Sequence, residues 1–199
     1  MGQEKQMRKE LSRAIRSFIE RLALPRKFPT LEPEAKARLA AIADLAARCR
    51  SPVDRDPQSR DIACPPEPEA PARLARSLAR LLVGLRIVGL NDDHAWRLVL
   101  KVALDSMPAS RRAVFDLLDT AGEQGLTIQD ISRRLRLPGQ TTARRLIEDL
   151  RVLRIVRRIK GTKSYVLASR GRRSLQLGRK HRAPETLPRQ AAGCSRNVS

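Results

Sequence analysis

Aromatic residues make up only 3% of the 199-residue chain, with one Trp, one Tyr and three Phe. That scarcity disfavours a base-stacking platform, which needs several rings along one groove. Cysteine is equally sparse: Cys49, Cys64 and Cys194 lie far apart, no C-x-x-C pair occurs, and His94 and His181 form no ligand cluster with them. This spacing matches no zinc pattern and reads as free thiols in a reducing compartment. Long apolar runs are missing too. The most apolar run, Leu81 to Leu90, is interrupted by Arg86 and is too short for a bilayer. The N-terminal stretch MGQEKQMRKELSR lacks the apolar core of a signal peptide. The expectation is a soluble, cytoplasmic protein with no membrane partner.

Groupings that carry catalysis are absent as well. His94 sits beside Asp92 and Asp93 at a predicted helix start, where capping and charge balance account for it. No Ser occupies a nucleophile-elbow context. The carboxylate pairs Asp92–Asp93 and Glu148–Asp149 fall on predicted exposed positions, with no buried setting that would shift their titration. No enzymatic activity, cofactor or metal is expected.

What the chain has in abundance is positive charge. Lys and Arg number 41 against 21 Asp and Glu, for a net charge of +20. Self-repulsion of that size weakens a compact monomer, so it points to a polyanionic partner, usually nucleic acid. The excess is uneven. Residues 109–168 carry 13 basic and 6 acidic side chains, and residues 169–199 carry 8 and 1.

Leu11, Ile15, Phe18, Ile19 and Leu22 repeat at helical spacing, predicting a helix over 3–24 that Pro25 ends. A second helix is expected after Thr30, with Pro33 in its first turn and Ala35, Leu39, Ile42, Leu45, Ala46 and Cys49 on its apolar face. Residues 51–71 hold six prolines and few large apolar side chains, which reads as a linker or a surface-hugging loop, either a domain boundary or a functional loop, with the boundary favoured. Arg55, between Asp54 and Asp56, is its one unusual charge cluster. Pro71 then opens a helix with a Leu74, Leu78, Leu81, Leu82, Leu85 and Val88 stripe, closed by Gly89. Asn91 caps the next helix, whose predicted inner face is Ala95, Leu98, Val99 and Val102. Trp96 is read as a packing anchor.

The densest pattern runs from Ser110 to Leu167. Its first helix is expected over 108–120, burying Val114, Phe115, Leu117 and Leu118, with Gly122 and Gly125 permitting the turn out. Thr127 and Asp130 form a capping box for a second helix, and Leu137-Pro138-Gly139 breaks the chain sharply after it. A third helix runs from about Gln140 to Leu153, with Ala143, Leu146, Ile147, Leu150 and Leu153 inward. Its other face offers Gln140, Thr141, Thr142, Arg144, Arg145, Glu148 and Arg151. Arg can grip guanine with two bonds, Gln can read adenine, and Thr can meet a phosphate or a thymine methyl. Ile155, Val156 and Ile159, then Tyr165, Val166 and Leu167, give β-type runs around Gly161-Thr162-Lys163. Arg157, Arg158, Lys160 and Lys163 place charge on that hairpin, where phosphate neutralisation would add salt-sensitive affinity.

Residues 110–167, with their core LTIQDISRRLRLPGQTTARRLIEDLRVLRIVRRI, resemble the winged helix-turn-helix of bacterial regulators of the IclR, MarR and ArsR type. The resemblance implies a duplex-DNA reader whose third helix enters the major groove while the wing meets the backbone. Gln140, Thr141, Thr142, Arg144, Arg145, Arg151, Arg157, Arg158, Lys160 and Lys163 are the DNA-contact candidates it implies. No cysteine lies between Thr127 and Leu153, so a metal sensor of the ArsR type is not implied. A second resemblance is to the helical lid and winged helix that end replication ATPases of the primase-helicase type. The chain has no G-x-x-x-x-G-K-[ST] loop, so on that reading a partner ATPase subunit would supply nucleotide binding. A winged helix used only for protein contacts is the third reading.

The expected architecture is therefore mainly α. It comprises an N-terminal helical region (1–50), a Pro-rich linker (51–71), a helical hairpin (72–106), the winged helix-turn-helix domain with its β-hairpin wing (107–168) and a disordered basic tail (169–199). The expected partner is double-stranded DNA. The N-terminal helices would pack, pair with a second copy of the chain as a homodimer, or dock a partner such as the ATPase subunit.

Overall fold

Eight helices and one three-stranded antiparallel sheet account for the described residues, 2–22, 24–64 and 66–179, of the computed structural model. Helix α1 (Gly2–Glu20) stops short of the predicted residue 24, closing through Arg21 N–H to Phe18 O and Leu22 N–H to Ile19 O. Its apolar stripe forms as the spacing predicts, but Leu11, Ile15, Phe18 and Ile19 all stay exposed.

Helix α2 (Pro33–Arg50) has Pro33 in its first turn, where the missing N–H costs no helical bond. Leu39, Ile42, Leu45, Ala46 and Cys49 are buried as their spacing predicts. Ser51 closes the helix twice, its N–H and its hydroxyl both donating to Ala47 O at 3.1 and 2.9 Å. The segment after it, expected as a linker or a surface-hugging loop over 51–71, lies against the body of the protein. Residues 51–64 double back through an Arg55–Ile62 bridge, and Glu69 returns to α2 by its N–H to Ser51 Oγ and its carboxylate to Arg50. Prolines keep this stretch out of helix and sheet, and charged contacts fasten it to the body. The buried core runs unbroken from Leu31 to Leu175, across the expected boundaries.

Helix α3 (Ala72–Ile87) buries Leu78, Leu82 and Val83 against α2, with Leu74, Leu81 and Leu85 half-buried beside them. Gly89 adopts φ +89°, and Asn91 caps helix α4 (Asp92–Asp105) by accepting from the His94 N–H at 3.0 Å. The inward face of α4 differs from the predicted one. Leu98 and Val102 are exposed, while Trp96, Leu100, Ala103 and Leu104 join Ala95 and Val99 inside. The helix presents more apolar positions than one stripe can hold, and Trp96 is among those turned inward. Buried and covered by the Arg38 guanidinium 3.9 Å from its ring centre, it is the packing anchor expected of it.

Helix α5 (Ala109–Ala121) inserts Val114, Phe115 and Leu118 into the core. Fully burying a side chain such as Phe115 contributes about 1.5–3 kcal/mol. Beyond it lies a strand too short to be read from periodicity, β1 (Leu126–Thr127). Gly125 at φ +65° leads into it, and a Cβ there would stand 2.6 Å from Tyr165 O, so the turn requires glycine. Helix α6 (Ile128–Arg134) starts on the predicted capping box: Thr127 Oγ1 accepts from Asp130 N–H at 3.1 Å and Thr127 N–H donates to Asp130 Oδ2 at 3.3 Å. Residues 135–139 turn the chain, and helix α7 (Gln140–Val152) follows with Ala143, Ile147 and Leu150 buried. Strands β2 (Val156–Arg158) and β3 (Ser164–Leu167) form the predicted hairpin, registered Val156 opposite Leu167 and Arg158 opposite Tyr165. β3 also pairs with β1, giving the order β1-β3-β2.

The basic tail expected to be disordered from residue 169 begins instead as helix α8 (Ser169–Arg179), packed on α2 and α4. Leu175 and Ser174 are buried, Arg38 donates to Gly178 O at 2.7 Å, and Arg170 pairs with Asp44 at 3.0 Å. Residues 180–199 of that expected tail, with His181 and Cys194, lie outside the described residues.

Candidate nucleic-acid interface

Helix α7 is amphipathic in the simplest way: Ala143, Ile147 and Leu150 hold it to the core, so positions 140, 141, 144, 145, 148 and 151 must turn outward. Gln140, Thr141, Thr142, Arg144, Arg145 and Arg151 are all exposed, as are Arg157, Arg158, Lys160 and Lys163 on the hairpin. The fold brings five of these ten together. Gln140, Arg144 and Arg151 line one wall of a groove whose other wall is Arg158 and Lys163. Its floor is Ile147 and Tyr165, and its end is the Thr127–Gln129 turn of α6. Cross-strand pairing of Arg158 with Tyr165 sets one edge of the groove, because it fixes which β2 residue stands beside Tyr165.

The remaining candidates fall elsewhere. Thr141, Thr142, Arg145 and Lys160 are exposed but outside the groove, and Arg157 lines an adjoining depression with Ile62 and Val152 that shares Glu148, Arg151 and Arg158 with the groove. Arg158 lines both depressions and is not a loose side chain, since its Nε donates to Thr162 O at 2.7 Å across the hairpin turn. That bond fills one of its donors and leaves the outer edge of the guanidinium for a ligand.

Two groove residues at the start of α6 carry no local sequence signal for such a site: the spacing marks Thr127 only as a cap, and nothing marks Gln129. Glu148 is the one carboxylate lining the groove. Asp130, just outside, is held below the usual carboxylate range because the Thr127 hydroxyl and N–H both donate to it. The cap therefore stays ionised.

Behind α7 lies a second charged assembly that spacing alone did not reveal. Arg55 Nη2 donates to Asp149 Oδ1 at 2.6 Å and to Arg145 O at 3.2 Å, while its Nη1 reaches Glu148 Oε2 at 3.2 Å. Arg111, buried in α5, holds the other Asp149 oxygen at 3.1 Å and the carbonyls of Cys49 and Ser51 at 3.0 and 2.6 Å. Burial pulls the Arg55 guanidinium down, but its bonds and charge contacts with Asp149 and Glu148 outweigh that and raise it. Cys49, under this assembly, is pushed up to about 12 by burial, so its thiolate is scarce at neutral pH. Among the described residues no three His, Cys, Asp or Glu side chains are grouped to hold a metal ion, and no helix is long and apolar enough to cross a membrane.

Compared with known proteins, the chain matches no protein-family model, no curated protein and no solved structure.

Proposed function

We propose that the chain is a winged-helix DNA-binding protein, acting as a transcriptional regulator, with α7 as its reading helix and the β2–β3 hairpin as its wing. The observation that carries the reading is the groove itself. Guanidinium groups of Arg144, Arg151 and Arg158, the Lys163 ammonium and the Gln140 amide converge between a helix and a hairpin that follow each other in sequence. Four cations against the single carboxylate of Glu148 suit a phosphate backbone, and Gln140 and Arg144 at the N-terminal end of α7 suit base edges. The capped start of α6 adds the Thr127 and Gln129 side chains at the groove's end, where backbone contacts would fix register.

Selection of binding sites from random duplexes with the purified full chain tests the reading. A preferred sequence should emerge, and Arg144→Ala should relax it at one position by roughly 1–3 kcal/mol, the size of a lost bidentate base contact. Lys163→Ala should weaken all duplexes alike and lower the salt slope by about one. Recovery of no preferred sequence, together with no duplex affinity at moderate salt, would overturn the assignment.

A further inference from the structure

Arg55 stands out in the sequence as a cation between two aspartates in a Pro-rich stretch, and it does not itself line the groove. The fold gives it a setting. Residues 54–63 form a tongue, paired by Asp56 N–H to Asp61 O at 2.9 Å and Ala63 N–H to Asp54 O at 3.0 Å. The Asp56 carboxylate holds the tip by accepting from the Gln58 and Ser59 N–H groups at 2.9 and 2.7 Å. Arg55 leaves the stem of this tongue and reaches α7, 94 residues away in sequence at Asp149.

Arg55 touches two carboxylates that differ in what they need. Asp149 already has Arg111 on its second oxygen, so α7 would remain tied to α5 without the tongue. Glu148 has no such second cation among the ion pairs of the described residues: Arg55 is its salt-bridge partner. Glu148 is also the groove's one acidic lining residue and is 37% exposed. A free carboxylate at that point would repel a polyanion that the four surrounding cations attract.

We infer that Arg55 is a positioning residue for nucleic-acid binding, which neutralises Glu148 and draws its carboxylate toward the tongue so that the groove meets phosphate without an opposing charge. This rests on the DNA-binding reading above. Arg55 acts through Glu148 and needs no contact with nucleic acid of its own. The tongue is thereby part of the reading surface's electrostatics, although it lies 93 residues before Glu148.

A double-mutant cycle with the full chain separates this role from its rivals. Duplex affinity is measured against salt for the parent, Arg55→Ala, Arg55→Lys, Glu148→Gln and the Arg55→Ala/Glu148→Gln pair, with a melting temperature for each. Arg55→Ala should weaken every duplex about eightfold at 0.1 M salt and lower the salt slope by about one, the effect of one uncompensated charge. Glu148→Gln in that background should restore both, and Arg55→Lys should retain much of the affinity. An equal loss in both backgrounds would mean that Arg55 grips phosphate directly, and the inference falls. A loss that tracks melting temperature without rescue by Glu148→Gln would reduce Arg55 to a stabilising contact and also overturns it. Parent affinity with an indifferent Arg55→Ala sinks the clamp alone, whereas a parent that binds no duplex sinks the DNA-binding reading and the clamp with it.

Discussion

Helix α1 carries a stripe of large apolar residues and leaves it exposed, whereas α8, built largely from Arg, Ser and Gly, lies buried along one face against α2 and α4. The contrast separates two things that periodicity tends to merge. Apolar spacing says where a helix will form and which face is greasy. It does not say that a complementary surface exists. In α8 the docked face is Gly171, Ser174, Leu175 and Gly178, spaced as one side of a helix, with a single large side chain among three small ones. Small residues let a helix approach its neighbours closely, and the contact then comes from backbone and from side chains of α2 and α4. A Cβ on Gly178 would stand 2.9 Å from Leu100 Cδ1 and 3.4 Å from Ile42 Cγ1. The charged residues of α8 add Arg170 to Asp44 and Arg172 to Glu123 around the rim.

The comparison is tested hardest by the one large side chain in the α8 face. Leu175 is 2% exposed, so Leu175→Ala should cost about 2–5 kcal/mol of unfolding free energy. Denaturant unfolding with an unchanged m-value would read this as lost stability of the whole chain. A cost under about 0.5 kcal/mol, the scale of a surface change, would mean that α8 contributes no packing.

Overfilling the same face should have a smaller effect. Gly178→Leu forces new atoms against Leu100 and Ile42 and should cost about 1–3 kcal/mol. Gly178→Ala is the instructive control, because replacing a helical glycine contributes up to about 1 kcal/mol through propensity alone, and less in the last turn, where Gly178 lies. That gain offsets the displacement of Leu100 Cδ1, the movable end of a side chain, so the melting temperature should stay near the parent's. Similar large losses for both substitutions would show that the α8–α4 contact is rigid at its narrowest point.

The error about α8 has a physical source that also marks how far the sequence could be read. Helix α2 was legible because its inward residues are all apolar, and α6 because Thr127 and Asp130 announce a cap locally. The groove's Gln140 and its four cations were legible because helical and hairpin geometry forces Gln140, Arg144, Arg151, Arg158 and Lys163 outward. Contacts that depend on distant chain were not legible. Two residues of β1 have no period, and their pairing with Tyr165 and Ser164 exists only once the hairpin has formed. Arg55 was conspicuous, but nothing local says that its partners lie on α7. On α4 the apolar spacing suits Leu98 and Val102 as well as Leu100, and only the packing of Trp96 with its neighbours, Arg38 among them, distinguishes them.

The smallest expected effect comes from making in α1 the same substitution that is most damaging in α8. Leu11 is 61% exposed, against 2% for Leu175, and both sit in regular helix. Leu and Ala are both strong helix formers, so Leu11→Ala alters local propensity little and reports almost purely on burial. With the stripe in water, the change should stay within about 0.5 kcal/mol of the parent. Unfolding followed at several protein concentrations makes this pair of variants decisive. A Leu11→Ala cost that matches Leu175→Ala at every concentration would mean that the α1 stripe is buried within a single chain, and the contrast between the two helices would collapse. A near-zero cost beside a large one at Leu175 leaves the contrast standing as a difference in available surface, with identical chemistry at both sites.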